Sequence, residues 1–155
     1  MEEHAVFIGE REHSLDKKNR AIVPSIFREI VHPKRDGLEF FLSPGLDACL
    51  YLYTQARWDE LASRIRKMNF GDKSARAFQR KFFGNAERCK PDSAGRILIP
   101  ERLKTMAGLE KDLVFLGVGD KIEIWAKEKW TQQEGEEVPL EDLAQKLFGP
   151  DESDL

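Results

Sequence analysis

The chain has 155 residues, which is enough for one ordinary domain or two small ones. Its 41% hydrophobic and 34% charged residues are typical of a folded globular protein and argue against a disordered one. No apolar run approaches the roughly 18 residues that span a bilayer, and the acidic first residues predict no secretory signal. Residues 1–96 hold 18 basic against 14 acidic side chains, whereas residues 97–155 hold 7 against 14. The net charge of −3 therefore does not exclude a polyanionic partner, because the first part of the chain is mildly basic.

The residue types that carry enzymatic chemistry show no arrangement typical of a catalytic or metal site. His4, His13 and His32 lie near the N-terminus without matching ligands at metal-binding spacing. Cys49 and Cys89 also lack such partners, and we expect both to be buried or half-buried thiols in a reducing cytoplasm. The segment GVGDK lacks the third glycine of a dinucleotide fingerprint, and no phosphate-binding loop or nucleophile elbow is present. We therefore predict a protein without catalytic residues, metal, cofactor or small-molecule substrate.

Two nine-residue segments repeat one pattern. DKKNRAIVP at 16–24 and DSAGRILIP at 92–100 each read Asp, three residues, Arg, three apolar residues and Pro. A Phe precedes each Asp by nine positions, and a short amphipathic segment after each Pro predicts a helix. After a shift of four residues, GLDACLYLY at 45–53 aligns with GVGDKIEIW at 117–125, where the alternation predicts half-buried strands. The chain is therefore predicted to be a duplication of strand, turn, strand, short helix, turn, strand and strand.

The Asp-x-x-x-Arg segments are predicted to be tight turns between two strands. The carboxylates of Asp16 and Asp92 can accept hydrogen bonds from backbone N–H groups just ahead of them, which fixes a turn. The fourth positions, Asn19 and Gly95, hold residue types that tolerate the positive φ of a hairpin tip. The apolar trios that follow, AIV and ILI, do not alternate with polar residues. We therefore expect these two strands to be covered on both faces.

The arginines that end these turns, Arg20 and Arg96, have two possible roles. In a structural role each pairs with the Asp of its own turn, and in a functional role each presents its guanidinium to phosphates or guanine edges. Both roles can coexist, because an arginine has five N–H donors and a carboxylate uses only two. The first turn has further basic residues around it, whereas the second turn has no lysine; the additional candidate DNA contacts are Arg11, Lys17 and Lys18. In the functional role, Arg20→Ala should therefore weaken DNA binding more than Arg96→Ala.

Two helices are predicted between the repeats. After Thr54, apolar residues recur at helical spacing, namely Trp58, Leu61, Ala62, Ile65 and Met68. FGD at 70–72 ends this helix, and a second helix follows with an apolar stripe of Ala75, Phe78 and Phe82. The segment 64–90 holds 9 basic against 2 acidic residues. This basic linker is compatible with a solvated helix face, with direct DNA contact or with pairing at a subunit interface.

A further helix is predicted near the C-terminus, opened by Pro139 and ended by Gly149-Pro150, with a stripe of Leu140, Leu143, Ala144 and Leu147. We expect it to pack on its own body, although the stripe could bind another protein, and we expect the last five residues to be frayed. The predicted organisation is a first repeat, a helical connector, a second repeat and a C-terminal helix with an acidic tail, over 7–54, 55–82, 83–130 and 131–155. Repeats of about 50 residues are short for independent stability, so the two should interlock into one pseudo-two-fold body.

Over residues 7–148 the sequence resembles the MraZ family, bacterial proteins built from two tandem repeats of the SpoVT/AbrB swapped-hairpin type. The resemblance rests on DKKNR and DSAGR at the family's Asp-x-x-x-Arg positions, each followed by an apolar strand and a Pro-led helix. One such motif would be weak, whereas two at matching positions of a duplicated pattern are specific. The resemblance implies an α+β, mainly β fold. In it, two swapped-hairpin repeats interlock into a pseudo-two-fold, β-barrel-like body, with helices between and after the repeats.

The resemblance also implies a function. It implies a sequence-specific DNA-binding transcriptional regulator of the bacterial cell-division and cell-wall gene cluster, located in the cytoplasm and associated with the nucleoid. Its partners would be double-stranded DNA with repeated promoter sites and further copies of itself, in a ring-shaped homo-oligomer that presents the hairpin loops. Arg20 and Arg96 occupy the motif arginines, with Asp16 and Asp92 as their partners, whereas Asn19 stands where many relatives have glycine.

A second class of function is compatible with the same residues. The swapped-hairpin fold also occurs in antitoxins, whose tails bind a partner toxin, so the fold alone does not decide the function. In this alternative the chain is an assembly or interaction protein that does not bind nucleic acid. Loss of DNA binding in Arg20→Ala, with an intact oligomer, would favour the regulator.

Overall fold

The structure, a computed structural model, describes residues 4–149, which form eight strands and seven α-helices, with one 3₁₀ turn at Leu46–Ala48. The first half of the chain contains β1 (Phe7–Ser14), β2 (Arg20–Ile22), α1 (Ser25–Arg28), α2 (Pro33–Asp36), β3 (Phe40–Pro44), β4 (Leu50–Thr54), α3 (Gln55–Arg66) and α4 (Lys73–Phe83). The second half contains β5 (Glu87–Cys89), β6 (Arg96–Leu98), α5 (Glu101–Met106), β7 (Asp112–Gly119), β8 (Ile122–Ala126), α6 (Lys127–Glu136) and α7 (Leu140–Phe148). Apart from α2, the second half repeats the order of the first, as the duplication predicts. The predicted fraying of the last five residues lies outside the described residues.

Six strands form one antiparallel sheet in which the two halves of the chain exchange their first strands. The strand order is β1-β7-β8-β4-β3-β5. β1 of the first half pairs along its whole length with β7 of the second half, and β5 of the second half pairs with β3 of the first. The central strands β4 and β8 pair with each other, with Leu50 opposite Ile124. A pseudo-two-fold axis therefore runs between β4 and β8.

This strand exchange confirms the predicted mainly β fold of two interlocked repeats. Neither half could complete its part of the sheet alone, because each supplies an edge strand to the other. Within residues 4–149 the sheet does not close into a barrel, since β1 and β5 remain its two edges.

The remaining strands, β2 and β6, pair with each other and form a separate two-stranded ribbon. Side chains alternate along both strands, so Ala21 and Ile97 are buried under the ribbon. Ile22 and Leu98 point to the other side and are 36% and 57% exposed. The prediction that these strands are covered on both faces is wrong, because the described residues place no second layer over the outer face of the ribbon.

The hydrophobic side chains form two main layers on opposite faces of the sheet. One core lies between the sheet, the ribbon and the short helices α1 and α5, and it contains the fully buried Phe7, Phe27, Leu103 and Phe115. Consecutive strand residues point to opposite faces, so Phe40 joins this core and Phe41 joins an aromatic cluster under α3 and α4. There Trp58 stacks on Phe41 and Phe82, with ring centroids 5.1 Å and 5.5 Å apart.

The connector helices begin where the sequence supplies capping residues. The Thr54 hydroxyl accepts a hydrogen bond from the backbone N–H of Arg57 at 3.3 Å, and the Asp72 carboxylate accepts one from Ser74 at 2.8 Å. The third predicted helix, α7, also forms, after Pro139. Its Leu140 and Leu147 are 76% and 74% exposed, so the expectation that its stripe packs on its own body is wrong.

Both cysteines are buried, as expected. Burial raises the pKa of the Cys49 thiol and of the Cys89 thiol to about 12, with nearby carboxylates adding to the effect. Among residues 4–149, no helix is long and apolar enough to cross a membrane.

Candidate nucleic-acid interface

The first Asp-x-x-x-Arg segment forms a tight turn between β1 and β2. The Oδ1 atom of Asp16 accepts hydrogen bonds from the backbone N–H groups of Lys18 at 2.9 Å and Arg20 at 2.8 Å. Its Oδ2 atom accepts one from Nε of the Arg20 side chain at 3.0 Å. Asn19 has a φ of 61°, the conformation that its residue type tolerates. One carboxylate thus fixes the turn and holds the guanidinium that leaves it.

The second turn, between β5 and β6, has the same geometry. Asp92 Oδ1 accepts the backbone N–H groups of Ala94 at 3.0 Å and Arg96 at 2.9 Å, and Oδ2 accepts Nε of Arg96 at 2.8 Å. Gly95 has a φ of 82° at the position of Asn19. The two turns share only Asp and Arg in sequence. The two turns therefore have in common these two residues, with a positive-φ residue between them.

The turn carboxylates are held in their ionised form. The backbone N–H of Arg20 is the largest cause that lowers the pKa of Asp16, and the backbone N–H of Arg96 has the same effect on Asp92. The guanidinium groups lower both pKa values further. Each guanidinium is bound through Nε, which leaves the N–H groups of its two Nη atoms outside this bond. An arginine positioned in this way loses less conformational entropy when it binds a ligand.

The ribbon places both motif arginines on one face. Arg20 lies opposite Leu98, and Ile22 lies opposite Arg96. Because side chains alternate, all four residues point to the outer face, while Ala21 and its partner on β6 point inward. Diagonal neighbours on adjacent strands are about 7–8 Å apart, which is the relation between the two arginines. The outer face of the ribbon therefore presents two guanidinium groups between two exposed aliphatic side chains.

The two turns lie at opposite ends of this ribbon. The backbone N–H of Ile99 donates to the carbonyl of Asn19 at 2.8 Å, and the N–H of Val23 donates to the carbonyl of Gly95 at 2.9 Å. Val23, which is bonded to Gly95 of the second turn, lies four residues along the strand from Asn19 of the first turn. At the usual rise of a strand, the two turns are therefore about 13 Å apart.

Each turn is also contacted by a helix of the other repeat, an arrangement that the sequence analysis missed. Arg28 of α1 lies over Gly95, and its Nε donates to the Val23 carbonyl at 2.7 Å. Lys104 of α5 donates to Oδ1 of Asn19 at 3.2 Å. Arg28 and Lys104 are separated by 76 residues, the offset between the two motifs. Comparison of the repeats at that offset was the signal that could have identified both as basic residues beside the turns.

The structure brings most, but not all, of the predicted basic residues to this surface. Lys17 and Lys18 are exposed on the first turn. Arg11 lies in the edge strand β1, where its Nη1 donates to the carbonyl of Glu10 at 2.8 Å. It is five strand residues from Asp16, which corresponds to about 17 Å. Arg11 therefore lies outside the group of basic residues on the first turn, namely Lys17, Lys18 and Arg20.

The histidines do not converge on a shared site in the described part of the chain. His13 packs edge-on against Phe115 with ring centroids 6.0 Å apart, and its burial, followed by the nearby Arg28 charge, lowers its pKa. His4 Nε2 and Glu60 Oε1 are 2.6 Å apart. Among residues 4–149, no group of three or more His, Cys, Asp or Glu side chains could hold a metal ion.

Comparison with known proteins identifies the family. A family model described as "MraZ protein, putative antitoxin-like" matches residues 6–81 and again residues 82–150. The chain is 43% identical over 143 residues to the transcriptional regulator MraZ of Acetivibrio thermocellus and 42% identical over 142 residues to that of Clostridium tetani. Each alignment covers 92% of this chain and 96% of the relative. The resemblance seen in the sequence is thereby confirmed, and the chain belongs to the MraZ family.

Proposed function

We propose that this protein is a sequence-specific DNA-binding transcriptional regulator that reads duplex DNA with the outer face of the β2/β6 ribbon and the turns at its ends. The observation that carries the proposal is the placement of Arg20 and Arg96 on that face, each held at Nε by its own aspartate. Guanidinium groups pair bidentately with phosphates or with O6 and N7 of guanine. Relatives named as transcriptional regulators support the same class of function.

The dimensions of the ribbon suit the major groove. The major groove of B-DNA is about 12 Å wide and admits a two-stranded β-ribbon. With the turns about 13 Å apart, the ribbon can lie in the groove while each turn faces one sugar-phosphate backbone. In this arrangement Arg20 and Arg96 face base edges, and Ile22 and Leu98 can contact thymine methyl groups.

We further propose that the DNA sites are repeated and that the protein binds them as a ring-shaped homo-oligomer. The whole chain carries a net charge of −3, so one ribbon alone should bind a polyanion weakly. Several ribbons on one DNA molecule raise the overall affinity through effective concentration. The resemblance suggests promoters of the division and cell-wall gene cluster as targets, which would place the protein at the nucleoid in the cytoplasm.

The two turns should contribute unequally to binding. The first turn carries Lys17 and Lys18, with Lys104 beside it, whereas the second turn has Ser93 and Ala94 at the corresponding positions, with Arg28 beside it. Each phosphate contact adds to affinity and to its salt dependence. Arg20→Ala should therefore weaken binding more than Arg96→Ala, and equal losses or a larger loss at Arg96 would contradict this ranking.

An electrophoretic shift on the DNA upstream of the protein's own gene, across a salt series, tests the proposal. Loss of one bidentate contact should weaken binding about 5-fold to 150-fold. Lys127→Ala is a matched control, because this exposed lysine lies on α6, outside both the ribbon and the basic segment 64–90. It should bind within about twofold of the wild type, and light scattering should show the same mass for all variants.

The same experiment distinguishes the alternative function. Specific binding that weakens steeply with salt and is lost in Arg20→Ala supports the regulator. No specific shift at low salt would overturn it and would favour an interaction protein of the antitoxin-like fold. Unchanged binding in both arginine variants would show that DNA contacts lie elsewhere, with the basic segment 64–90 as the next surface to test.

A further inference from the structure

Within residues 4–149, two apolar surfaces, one in each half of the chain, remain uncovered. The first, here called the connector groove, lies between α3, α4 and the adjacent sheet face and has a volume of about 300 Å³. Its apolar lining includes Leu46, Tyr51, Leu61, Ile65, Met68 and Phe78. The second surface is the leucine stripe of α7, formed by Leu140, Leu143, Ala144 and Leu147.

On both surfaces, several neighbouring apolar side chains are exposed together. In the groove, Leu46 is 70% exposed and Met68 is 42% exposed. On α7 the three leucines are all exposed, although their spacing places them on one helix face. Contiguous exposed apolar patches of this kind mark interaction sites in folded proteins.

The duplication does not preserve the whole apolar lining of the groove in the second half. Positions 72 residues further along are its counterparts in the second half, the offset that relates β4 to β8. There Tyr51, Leu61 and Ile65 are replaced by Glu123, Gln133 and Glu137. The basic groove residue Arg64 is likewise replaced by Glu136. The two ends of the molecule have therefore diverged into an apolar, basic end and an acidic end.

The charges around the two surfaces are complementary. Residues 64–90, which include α4, hold 9 basic against 2 acidic side chains. Residues 130–149, which include the whole of α7, hold five acidic side chains against one basic side chain, Lys146 in the last turn of the helix. An amphipathic helix that lays its apolar face in a hydrophobic groove is a common recognition mode, and opposite charges at the rim set its orientation.

We propose that α7 of one copy docks in the connector groove of a second copy. Its leucine stripe would cover the apolar lining, and its acidic first turn would face the basic residues of α4. The chain's own α7 belongs to the other side of the pseudo-two-fold axis, because it follows α6, which packs on β7 and β8. The groove lies beside β3 and β4.

Such a contact joins two different surfaces and is therefore heterologous. After one such contact, the first copy still has an open groove and the second still has an unbound α7, so the assembly grows head to tail and closes into a ring if its rotation permits. This inference rests on the homo-oligomer in the proposed function, for which it names the interface, and it does not depend on DNA binding.

The test uses two variants of the full chain that are each defective on one surface. Leu140→Lys/Leu147→Lys changes only exposed residues of α7, and Leu46→Glu/Met68→Glu places two acidic residues in the groove. Ile8→Lys is the matched control, since Ile8 is 75% exposed on β1, outside both surfaces. Mass is measured by light scattering at equal concentration, and folding is checked by thermal melting. If the lysine pair lowers the melting temperature, Leu140→Ser/Leu147→Ser replaces it.

We expect the wild type and Ile8→Lys to be oligomers and each double variant to have the mass of one chain, 17.9 kDa. When the two double variants are mixed, the intact groove of one and the intact α7 of the other should form a 1:1 complex of twice that mass. A monomeric wild type, a variant that keeps the wild-type mass or a mixture that stays monomeric would overturn the proposal.

The outcome is separable from that of the proposed function. A wild-type oligomer that dissociates in the α7 variant but does not bind DNA would support this interface and contradict the regulator. If the wild type binds DNA specifically but both double variants keep the wild-type mass, the result would support the regulator and contradict this interface.

Discussion

Replacing Gly95 by Ala tests whether the first repeat supports the turn of the second. Gly95 has a φ of +82°, and a Cβ built on it lies 2.6 Å from Cζ and 2.7 Å from Nε of Arg28. The Arg28 guanidinium can move away, but it then loses its hydrogen bond to the Val23 carbonyl. The backbone at this position is itself held, because the Gly95 carbonyl accepts the N–H of Val23.

Two contributions set the expected loss of stability in Gly95→Ala. A residue with a Cβ in the left-handed region costs about 1–2 kcal/mol. Loss of the charged hydrogen bond of Arg28, discounted because the side chain is partly exposed, costs about 1 kcal/mol more. The free energy of unfolding should therefore fall by about 2–3 kcal/mol. For a chain of this size that corresponds to a decrease in Tm of about 4–12 °C.

Gly119→Ala is the matched control for this experiment. Gly119 also has a positive φ, of +90°, but no atom of residues 4–149 lies within 4 Å of a Cβ built there. It should lose only the backbone contribution, about 1–2 kcal/mol. Urea unfolding followed by tryptophan fluorescence measures both variants, at one protein concentration because the stability of an oligomer depends on it. Equal losses at Gly95 and Gly119 would refute the support of the turn by Arg28.

Three further predictions concern buried or hydrogen-bonded groups. In Arg96→Ala the pKa of Asp92 should stay below its ordinary value, because the backbone N–H of residue 96 remains; full recovery in a carbon-13 NMR titration would refute this. Trp58→Ala should lower the free energy of unfolding by about 3–5 kcal/mol in urea, and a loss below about 1 kcal/mol would argue against the aromatic cluster. Burial raises the pKa of Cys49 and Cys89 from 9.0 to about 12, so the unfolded chain ionises first and stability should fall as the pH rises through this interval. Unchanged stability in urea melts between pH 8.5 and 10.5, compared with a Cys49→Ala/Cys89→Ala variant, would contradict this.

The repeated turns and the elements around them were predictable because they depend on local residues. An Asp, a positive-φ residue and an Arg at fixed spacing specify the same hydrogen bonds in both copies. The connector helices follow from an apolar stripe together with Thr54 and Asp72 as caps. The helix α6 was missed, because Trp130 is its one large apolar residue and Gly135 lies within it.

The strand partners could not be predicted from local patterns. The alternation of side chains identifies β1 as a strand but does not reveal its partner. That partner is β7, where Phe7 lies opposite Gly119, a residue far away in the sequence. The same limit explains the error over Ile22 and Leu98, since an apolar trio does not reveal whether a second layer covers the strand. Arg28 was not considered because its contact with the second turn crosses between repeats.

The central claim is that both motif arginines of one chain contact the same DNA duplex. The most direct test measures the Kd of the wild type, Arg20→Ala, Arg96→Ala and the double variant on the shortest upstream duplex that the wild type binds specifically. We predict that each single variant binds at least about 5-fold more weakly and that the double variant binds more weakly than either, with unchanged oligomer mass. A single variant, Arg20→Ala or Arg96→Ala, that keeps wild-type affinity for that duplex would contradict the claim.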